Sequence, residues 1–492
     1  MINLVVERKI TYLKENVWPR LRHWDVALIV VLVAAFLVRV VNLNYNSPFN
    51  DEAIYVVIGK MGVFGWDWFS YNAKAWMPGL PYAYPVIAAL SYQIGGIIGS
   101  RFLNVLLGVL ILEEVYRFTL LVNLFDEKTN KVAGVIAATL AGFSSVGLYV
   151  SRLAVLDLPS FFFLMFGTNS LIKAVRTNNG KYFFVSSVSL LVAFAMKVVV
   201  ASFFPFLVAI SFFWVYKNNK KSFHYWLKYF FFPLFLGALA YFVSNVSGTL
   251  SYANAQVNRE YDPIPVVLNI IWENTNLFLL ILLPSALYLG IIKRKFIQTN
   301  LLLLFSVLVP FTHVVLHRHS TLSKHVYLLV LFSAPVVGYA LASLTNVKNK
   351  YARAVTSVFV ASYLLFYSLS YAPNLNRLEH EWVSTTDVGK FMYSRSNPNT
   401  RILTEAGSAT TLVLYDKIFP TNITTYDWFI YLGKQDEDAY LQAVKDGYFD
   451  LIEINGGYDT KIEMRQKLRE VLVNNYQLVY KKEPFEVYEK TK

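Results

Sequence analysis

The chain contains no cysteine. This excludes a disulfide framework, thiol catalysis and any metal site built on cysteine. Charged residues are also scarce, at 16% of 492 residues, whereas 55% are hydrophobic and the mean hydropathy is +0.42. Apolar runs of about 20 residues, long enough to span a bilayer, recur from residue 25 to residue 371. The sequence therefore predicts a polytopic α-helical membrane protein.

Positive charge is in excess, with a formal net charge of +13. The basic residues stand in short clusters between the apolar runs, not on one face with interleaved aromatic residues. They therefore indicate membrane topology, and we expect no nucleic-acid partner. The first 24 residues are basic and mixed, and the apolar run after them is long enough to be a permanent span, so we expect no cleavable signal.

Clusters of Lys and Arg between spans remain cytoplasmic, which allows the crossings to be counted. Six such clusters are present, and consecutive ones must be separated by an even number of crossings. Three apolar runs lie between the first cluster (residues 8–22) and the second (128–131), so one of them does not span. Segment 81–99 is the weakest, because Pro81, Pro85, Gly95, Gly96 and Gly99 interrupt it. We interpret it as an interfacial or re-entrant helix on the outer face.

The remaining runs predict about eleven crossings, with a cytoplasmic amino terminus and an external carboxyl terminus. The protein would thus be a multi-pass protein of the cell membrane. The expected spans are 25–44, 101–124, 131–150, 159–175, 181–196, 198–216, 228–245, 276–292, 298–316, 325–344 and 352–371.

After residue 372 charged residues become frequent, and short β-like runs alternate with helical patterns. We therefore divide the chain into a membrane domain, 1–372, and a small extracytoplasmic α/β domain, 373–492. The expected strands are 401–403, 451–454, 477–480 and 485–488, and the expected helices are 381–396, 436–446 and 461–474.

Unusual polar residues gather in the predicted outer loops and at the outer ends of spans. Carboxylates and cations on one membrane surface suit an anionic, phosphate-linked substrate held beside a proton acceptor. The acidic members are Asp51, Glu52 and Asp157, and the cationic and aromatic members are Arg101, Arg152, Lys197, His317, Arg318, Lys324 and Tyr327.

Structural roles remain open for the same residues. Asp51 and Glu52 could form a solvated loop or the first turn of a helix. Asp157 could cap the helix that Pro159 begins. Arg101 and Lys197 could anchor helices at the interface, and the run 317–325 could bind lipid headgroups.

The order of these motifs resembles the GT-C glycosyltransferases. The motifs are the Asp51-Glu52 pair after the first span, Arg101 at the start of the next span, the loop from Arg152 to Asp157, and the basic loop 317–327 that ends in Tyr327. The most similar branch is the protein O-mannosyltransferase and lipid A aminoarabinose transferase superfamily. The resemblance covers about residues 20–345 and implies a GT-C fold.

The resemblance implies a glycosyltransferase that moves a hexosyl or pentosyl group from a dolichyl or undecaprenyl phosphate carrier. The acceptor would be a protein, lipid or glycan on the outer face, and the transfer would invert the anomeric centre. Asp51 matches the general base, Glu52 its neighbour and Asp157 the second loop acid. Arg101, Lys197, Arg318 and Lys324 match the phosphate ligands, of which Arg101 aligns best.

No cofactor is implied with certainty. A divalent metal ion is left open because several members of the wider fold use one, and its potential ligands would be Asp51, Glu52, Asp157 and the scattered histidines. The main alternative function is a transporter or flippase of a lipid-linked sugar, and a receptor or assembly subunit is a third. Transporters place ionisable residues near the midplane, often in two matching halves, and this sequence shows neither feature.

Overall fold

The computed structural model describes residues 23–68, 70–71, 83–218, 220–244, 246, 248, 250, 261–426, 429–457 and 462–491. The first basic cluster, residues 8–22, lies outside the described residues, as does Pro81. The expected cytoplasmic position of the amino terminus therefore rests on sequence alone.

Most of the chain up to residue 395 is helical. The helices are α1 His23–Val40, α2 Asn50–Gly65, α3 Ala83–Val122, α4 Glu127–Gly142, α5 Ser145–Arg152, α6 Asp157–Thr177, α7 Gly180–Met196, α8 Phe204–Asn218, α9 Lys220–Trp226, α10 Phe232–Ser244, α11 Ile264–Leu287, α12 Phe296–Val315, α13 Leu322–His325, α14 Tyr327–Thr345, α15 Lys350–Leu369, α16 Tyr371–Glu379 and α17 Thr386–Arg395. A 3₁₀ turn, Val198–Phe203, precedes α8, and π-helical turns at Leu227–Phe231 and Tyr288–Ile292 extend α9 and α11.

Each of the eleven expected spans falls mainly on helical residues, although 131–150 covers both α4 and α5. In the described ranges, eight helices are long and apolar enough to cross a membrane, or up to nine if the bent pair α4 and α5 forms one span. The other two expected spans fall on α1, of 18 residues, and α7, of 17 residues. The protein is therefore an integral multi-pass membrane protein, and the count of eleven stays a prediction.

Helix α3 is broken at Gly95 and Gly96, within the segment 81–99 that the sequence predicts to be interfacial or re-entrant. Gly96 adopts φ +61 and ψ −151, a conformation that a side chain would strain. The Ser100 hydroxyl donates to the Ala88 carbonyl at 2.9 Å, although residues twelve apart in a straight helix would be about 18 Å apart. The arm before Gly95 thus folds back on the arm after it. The twelve described residues of this arm, 83–94, extend about 18 Å as a helix, and that the segment does not span stays a prediction.

Helix α14 is the centre of the membrane domain. Nearly all of its residues are buried, and it packs against α4, α11 and α12. The sequence of α14 is apolar around the whole circumference, which is typical of a helix enclosed by others. Gly338 permits close approach to α4, because a Cβ there would lie 2.4 Å from the Ala133 carbonyl oxygen.

The carboxyl-terminal part forms a five-stranded sheet of order β2-β1-β5-β7-β6. Strands β2, β1 and β5 are parallel, and β7 and β6 complete the sheet as an antiparallel pair. The strands are β1 Ile402–Thr404, β2 Ile423–Thr425, β3 Ile430–Tyr431, β4 Lys434–Gln435, β5 Leu451–Asn455, β6 Tyr476–Lys482 and β7 Phe485–Lys490, with helices α18 Ser408–Leu414, α19 Asp436–Lys445 and α20 Ile462–Leu472. The expected α/β fold is confirmed, although β2 to β4 were not expected.

The two parts of the chain are joined around a short loop after α1. The Trp382 indole donates to the Ser47 carbonyl at 3.0 Å, and the Thr385 amide donates to the Ser47 hydroxyl at 3.1 Å. The expected domain boundary at residue 372/373 falls within α16, whose last residue bonds to Arg152. That boundary stays a prediction.

We expect the carboxyl-terminal α/β part to lie outside the cell and the Lys-rich ends of the membrane helices to lie inside. Single cysteines at Lys128 and Lys348 should resist an impermeant thiol reagent in intact cells, and one at Lys434 should react, because the reagent cannot cross the bilayer. The native chain provides no background thiol. Labelling of the cysteine at position 128 in intact cells would show that the predicted topology is wrong.

Burial of Glu453 in strand β5 should make the folding stability of the carboxyl-terminal α/β part depend on pH. Burial raises the pKa of its carboxyl to about 7, despite hydrogen bonds from Thr404 and Ala406. Protonation is thus favoured in the folded state, and this stabilisation is lost as pH rises from about 4.5 to about 7. Glu453→Gln, which cannot ionise, should be more stable than wild type by roughly 1–3 kcal/mol at pH 8. Thermal unfolding should show no such gain at pH 5, and an equal gain at both would contradict the buried ionisation.

Candidate active site

Asp51 lies in the first turn of α2, where the helix dipole favours a carboxylate. Its Oδ2 accepts a hydrogen bond from Lys324 Nζ at 2.6 Å. The Asp51 side chain is 30% exposed, whereas that of Lys324 is 5% exposed. The pair therefore presents one accessible carboxylate with its counterion beneath.

Glu52, the next residue, is completely buried and fully bonded. Its Oε1 accepts from Arg101 Nε at 2.8 Å and from the Ala154 amide at 2.7 Å. Its Oε2 accepts from Arg101 Nη2 at 2.7 Å and from the Phe49 amide at 2.8 Å. Glu52 thus ties the start of α2 to α3 and to the loop before α6.

Arg101 is equally buried, and all five of its N–H donors are used. Two bind Glu52, and the others bind the carbonyls of Leu43, Asn46 and Ser47. The Arg101 guanidinium also lies 4.3 Å from the centre of the Tyr45 ring. In this arrangement Arg101 offers no donor to a phosphate, in contrast to the role implied by the resemblance.

Asp157 begins α6 and is also completely buried. It forms an ion pair with Lys197, which ends α7, and its Oδ1 lies 3.5 Å from His325 Nε2. His325 Nδ1 is 2.7 Å from His313 Nε2, and His313 Nδ1 is 2.8 Å from the Arg318 carbonyl oxygen. Lys324 interacts electrostatically with Asp157 as well as with Asp51. The two acids therefore belong to one charge cluster.

Arg152 is a second buried arginine that binds within the protein. It pairs with Glu379 at the end of α16, and it donates to the carbonyls of Val38, Arg39, Val41 and Asn42. Its contacts close the end of α1, so that in this structure it stabilises the fold beside the cluster.

The three remaining sequence candidates differ in their surroundings. His317 Nδ1 lies 3.2 Å from the Asp262 carbonyl oxygen, and its ring packs edge-on against Tyr261. The Arg318 guanidinium lies 5.6 Å from the centre of the same ring. Tyr327 is buried in α14 and its hydroxyl donates to the Ala141 carbonyl.

The carboxyl-terminal α/β part of the chain reaches the helix that carries Asp51. The Ser408 amide donates to Asn50 Oδ1 at 3.0 Å, and the Ser408 hydroxyl bonds to the Tyr71 hydroxyl at 2.7 Å. Gly407, with φ +61, allows this approach. Lys60, on the same helix, bonds to Asp416 at 2.9 Å. The loop after β1 thus forms one wall beside the candidate base.

The structure brings Asp51, Asp157, Lys197, Lys324 and His325 together at one end of the helix bundle. Sequence analysis missed His313, Glu379 and Ser408. His313 carried a signal, because it is a lone imidazole within an apolar run. No sequence pattern marks Glu379 or Ser408, because their partners Arg152 and Asn50 lie more than 200 residues away in the chain.

The carboxylates do not fit a divalent metal ion. Asp51 and Asp157 are each paired with a lysine ammonium, and Glu52 is saturated. Hard cations prefer several free oxygen ligands. Within the part of the chain that the structure describes, no group of three or more His, Asp or Glu side chains is placed to hold a metal.

No protein-family model and no curated protein matches the sequence. Solved structures do match. The chain is similar to ArnT from Cupriavidus metallidurans, with TM-score 0.61, 12% identity and coverage of 94% of this chain and 97% of that one. The chain has the GT-C fold. It is also similar to an oligosaccharyltransferase from Archaeoglobus fulgidus (TM-score 0.55, 11% identity, 98% and 75% covered) and to the arabinofuranosyltransferase AftD from Mycobacteria (0.57, 11%, 94% and 40%).

We expect the Glu52–Arg101 pair to stabilise the fold. Glu52→Gln or Arg101→Met alone leaves one buried charge uncompensated, which should cost about 3–5 kcal/mol. The double variant should cost less than the sum of the two. Thermal unfolding in detergent measures each loss. Glu127→Gln, which removes the exposed partner of Lys131, is the matched control and should cost about 1 kcal/mol or less. Additive losses would contradict the coupling.

Proposed function

We propose that this protein is a membrane glycosyltransferase that takes a sugar from a polyprenyl phosphate carrier. The acceptor is a hydroxyl of a protein, lipid or glycan on the extracytoplasmic face, and the transfer inverts the anomeric centre. The observation that carries the proposal is the partly exposed Asp51–Lys324 pair, which combines a proton acceptor with a cation at one end of a GT-C helix bundle.

The solved structures of similar fold support this class of donor. One structure of ArnT is bound to undecaprenyl phosphate, and one of the Archaeoglobus oligosaccharyltransferase contains a dolichol-phosphate. Both carriers combine a phosphate with a long isoprenoid chain. A bundle with lipid-facing helices and a cationic cluster at one end suits both halves of such a molecule.

Burial distinguishes the three acids of the site. Glu52 and Asp157 have no exposed surface, and Glu52 already accepts four hydrogen bonds. Asp51 is 30% exposed and has only Lys324 as its ion-pair partner among the described residues. A general base must reach the proton it removes. Asp51 therefore acts as the base, and Glu52 and Arg101 position the helix that carries it.

Lys324 would bind the carrier phosphate. A phosphate beside Asp51 competes for the Lys324 ammonium and so frees the carboxylate to accept a proton. The acceptor oxygen then attacks the anomeric carbon as its proton passes to Asp51. The bond between that carbon and the phosphate oxygen breaks, and its electron pair leaves with the polyprenyl phosphate. Lys324 and Lys197 stabilise the added negative charge, and Arg318 is a further cation near the cluster.

We expect Asp51→Asn to lower turnover by about 10²- to 10⁴-fold while carrier binding is largely kept. The amide preserves the shape of the carboxylate and cannot accept the proton. The assay uses membranes that contain the protein and its native acceptors, adds a panel of labelled polyprenyl phosphate sugars and follows transfer of the labelled sugar from its carrier. Carrier affinity is measured separately by displacement of a labelled polyprenyl phosphate.

Lys324→Gln is the matched variant on the other side of the pair, and it should weaken carrier binding as well as turnover. If Asp51→Asn keeps near-native turnover and Asp157→Asn loses it, the general base is Asp157 and not Asp51. Movement of the intact sugar-linked carrier across a bilayer, with no bond cleaved, would instead favour the transporter.

A further inference from the structure

A cavity of about 830 Å³ opens between the start of α7 and the α9–α10 segment. Three lysines line it, Lys181, Lys221 and Lys228, together with the rings of Tyr225 and Tyr229. None of the described lining residues is acidic. The cavity therefore brings three lysine ammonium groups to one surface of the helix bundle.

The backbone around the cavity is held in place. Asn179 caps α7 by accepting a hydrogen bond from the Lys181 amide at 2.9 Å, and Asn178, at φ 53, bonds to the Ser222 hydroxyl. Gly180 lies against Tyr229, because a Cβ there would be 3.0 Å from the ring. The amide groups at the start of α7 add to the attraction for an anion.

This cavity lies at the opposite ends of helices α6 and α7 from the candidate active site. Helix α7 begins at the cavity and ends at Lys197, and α6 begins at Asp157 and ends beside the cavity at Thr177. Helices of 21 and 17 residues separate the two sites by about 25–30 Å. An anion in this cavity is therefore distinct from the proposed carrier phosphate.

An exposed apolar surface continues from the cavity along the bundle. Phe184 lines the cavity, and Val188 lies one turn further along α7. On α10, which packs against α7 through Gly237 and Leu191, Phe232, Phe235 and Leu236 are exposed. A ligand with a phosphate in the cavity would thus have an apolar path for its chain, which favours a lipid over a free phosphate.

We propose that this cavity binds the headgroup of an anionic phospholipid. The three lysine ammonium groups contact the phosphate, the tyrosines border the headgroup, and an acyl chain lies against Phe184 and the exposed face of α10. Basic pockets between membrane helices suit such headgroups.

Native mass spectrometry of the intact protein in detergent tests the proposal with phosphatidylglycerol and phosphatidylcholine as probes. Wild type should bind phosphatidylglycerol in preference. Lys181→Gln/Lys221→Gln/Lys228→Gln should lower its affinity by about tenfold or more, since each lysine near the membrane surface contributes to anionic lipid attraction. All three side chains are exposed, so the fold should persist. Size-exclusion chromatography checks this, and the single variant Lys228→Gln should show a smaller loss in the same direction.

The matched control is Lys128→Gln/Lys348→Gln/Lys350→Gln, which removes the same charge from exposed lysines expected on the same face. It should keep the preference for phosphatidylglycerol. Equal losses in both triple variants would overturn the site, as would unchanged binding in the first. Glycerol phosphate should compete only weakly with phosphatidylglycerol. Phe184→Ser should weaken the binding of phosphatidylglycerol and leave the binding of glycerol phosphate unchanged. If glycerol phosphate competes fully, the cavity binds a free anion and the proposal of a lipid ligand is wrong.

Discussion

The buried pair of Glu52 and Arg101 is the constraint on which the candidate site depends. It joins the first turn of α2 to α3, to the loop after α1 and to the loop before α6 through seven hydrogen bonds, which use all five Arg101 donors and both carboxylate oxygens of Glu52. Burial of two charges is unfavourable unless every donor and acceptor is satisfied. Because this condition is met here, the neighbouring Asp51 is held on a fixed helix end.

The membrane class, most of the helical segments, the interruption of segment 81–99 and four strands of the carboxyl-terminal sheet could be predicted from the sequence. Each depends on local properties, namely apolar length, backbone freedom and alternation along a strand. The partners of Arg101 and Arg152 could not be predicted, since they lie 49 and 227 residues away. An arginine at the start of a span looks the same whether it binds substrate or a buried glutamate. Strands β3 and β4, of two residues each, were too short to produce a pattern.

The carboxyl-terminal α/β part of the chain lies beside the candidate site through its strand order. The chain leaves β1 for β2 on one side and returns to β5 on the other, and ligand sites in such sheets form where the direction of connection reverses. The loop after β1 carries Gly407 and Ser408, and it contacts Asn50, the residue before Asp51. A molecule bound at that strand end would therefore lie beside the candidate base.

The candidate site balances its charges in pairs, Asp51 with Lys324 and Asp157 with Lys197. A balanced cluster can be partly buried at a modest cost, whereas an isolated ammonium in the same place would be strongly unfavourable. An incoming phosphate brings negative charge and replaces a carboxylate as the partner of a lysine. The carboxylate that is released most easily is Asp51, because water can reach it and cannot reach Asp157. In the proposed enzyme, donor binding would thereby generate the free base that the acceptor requires.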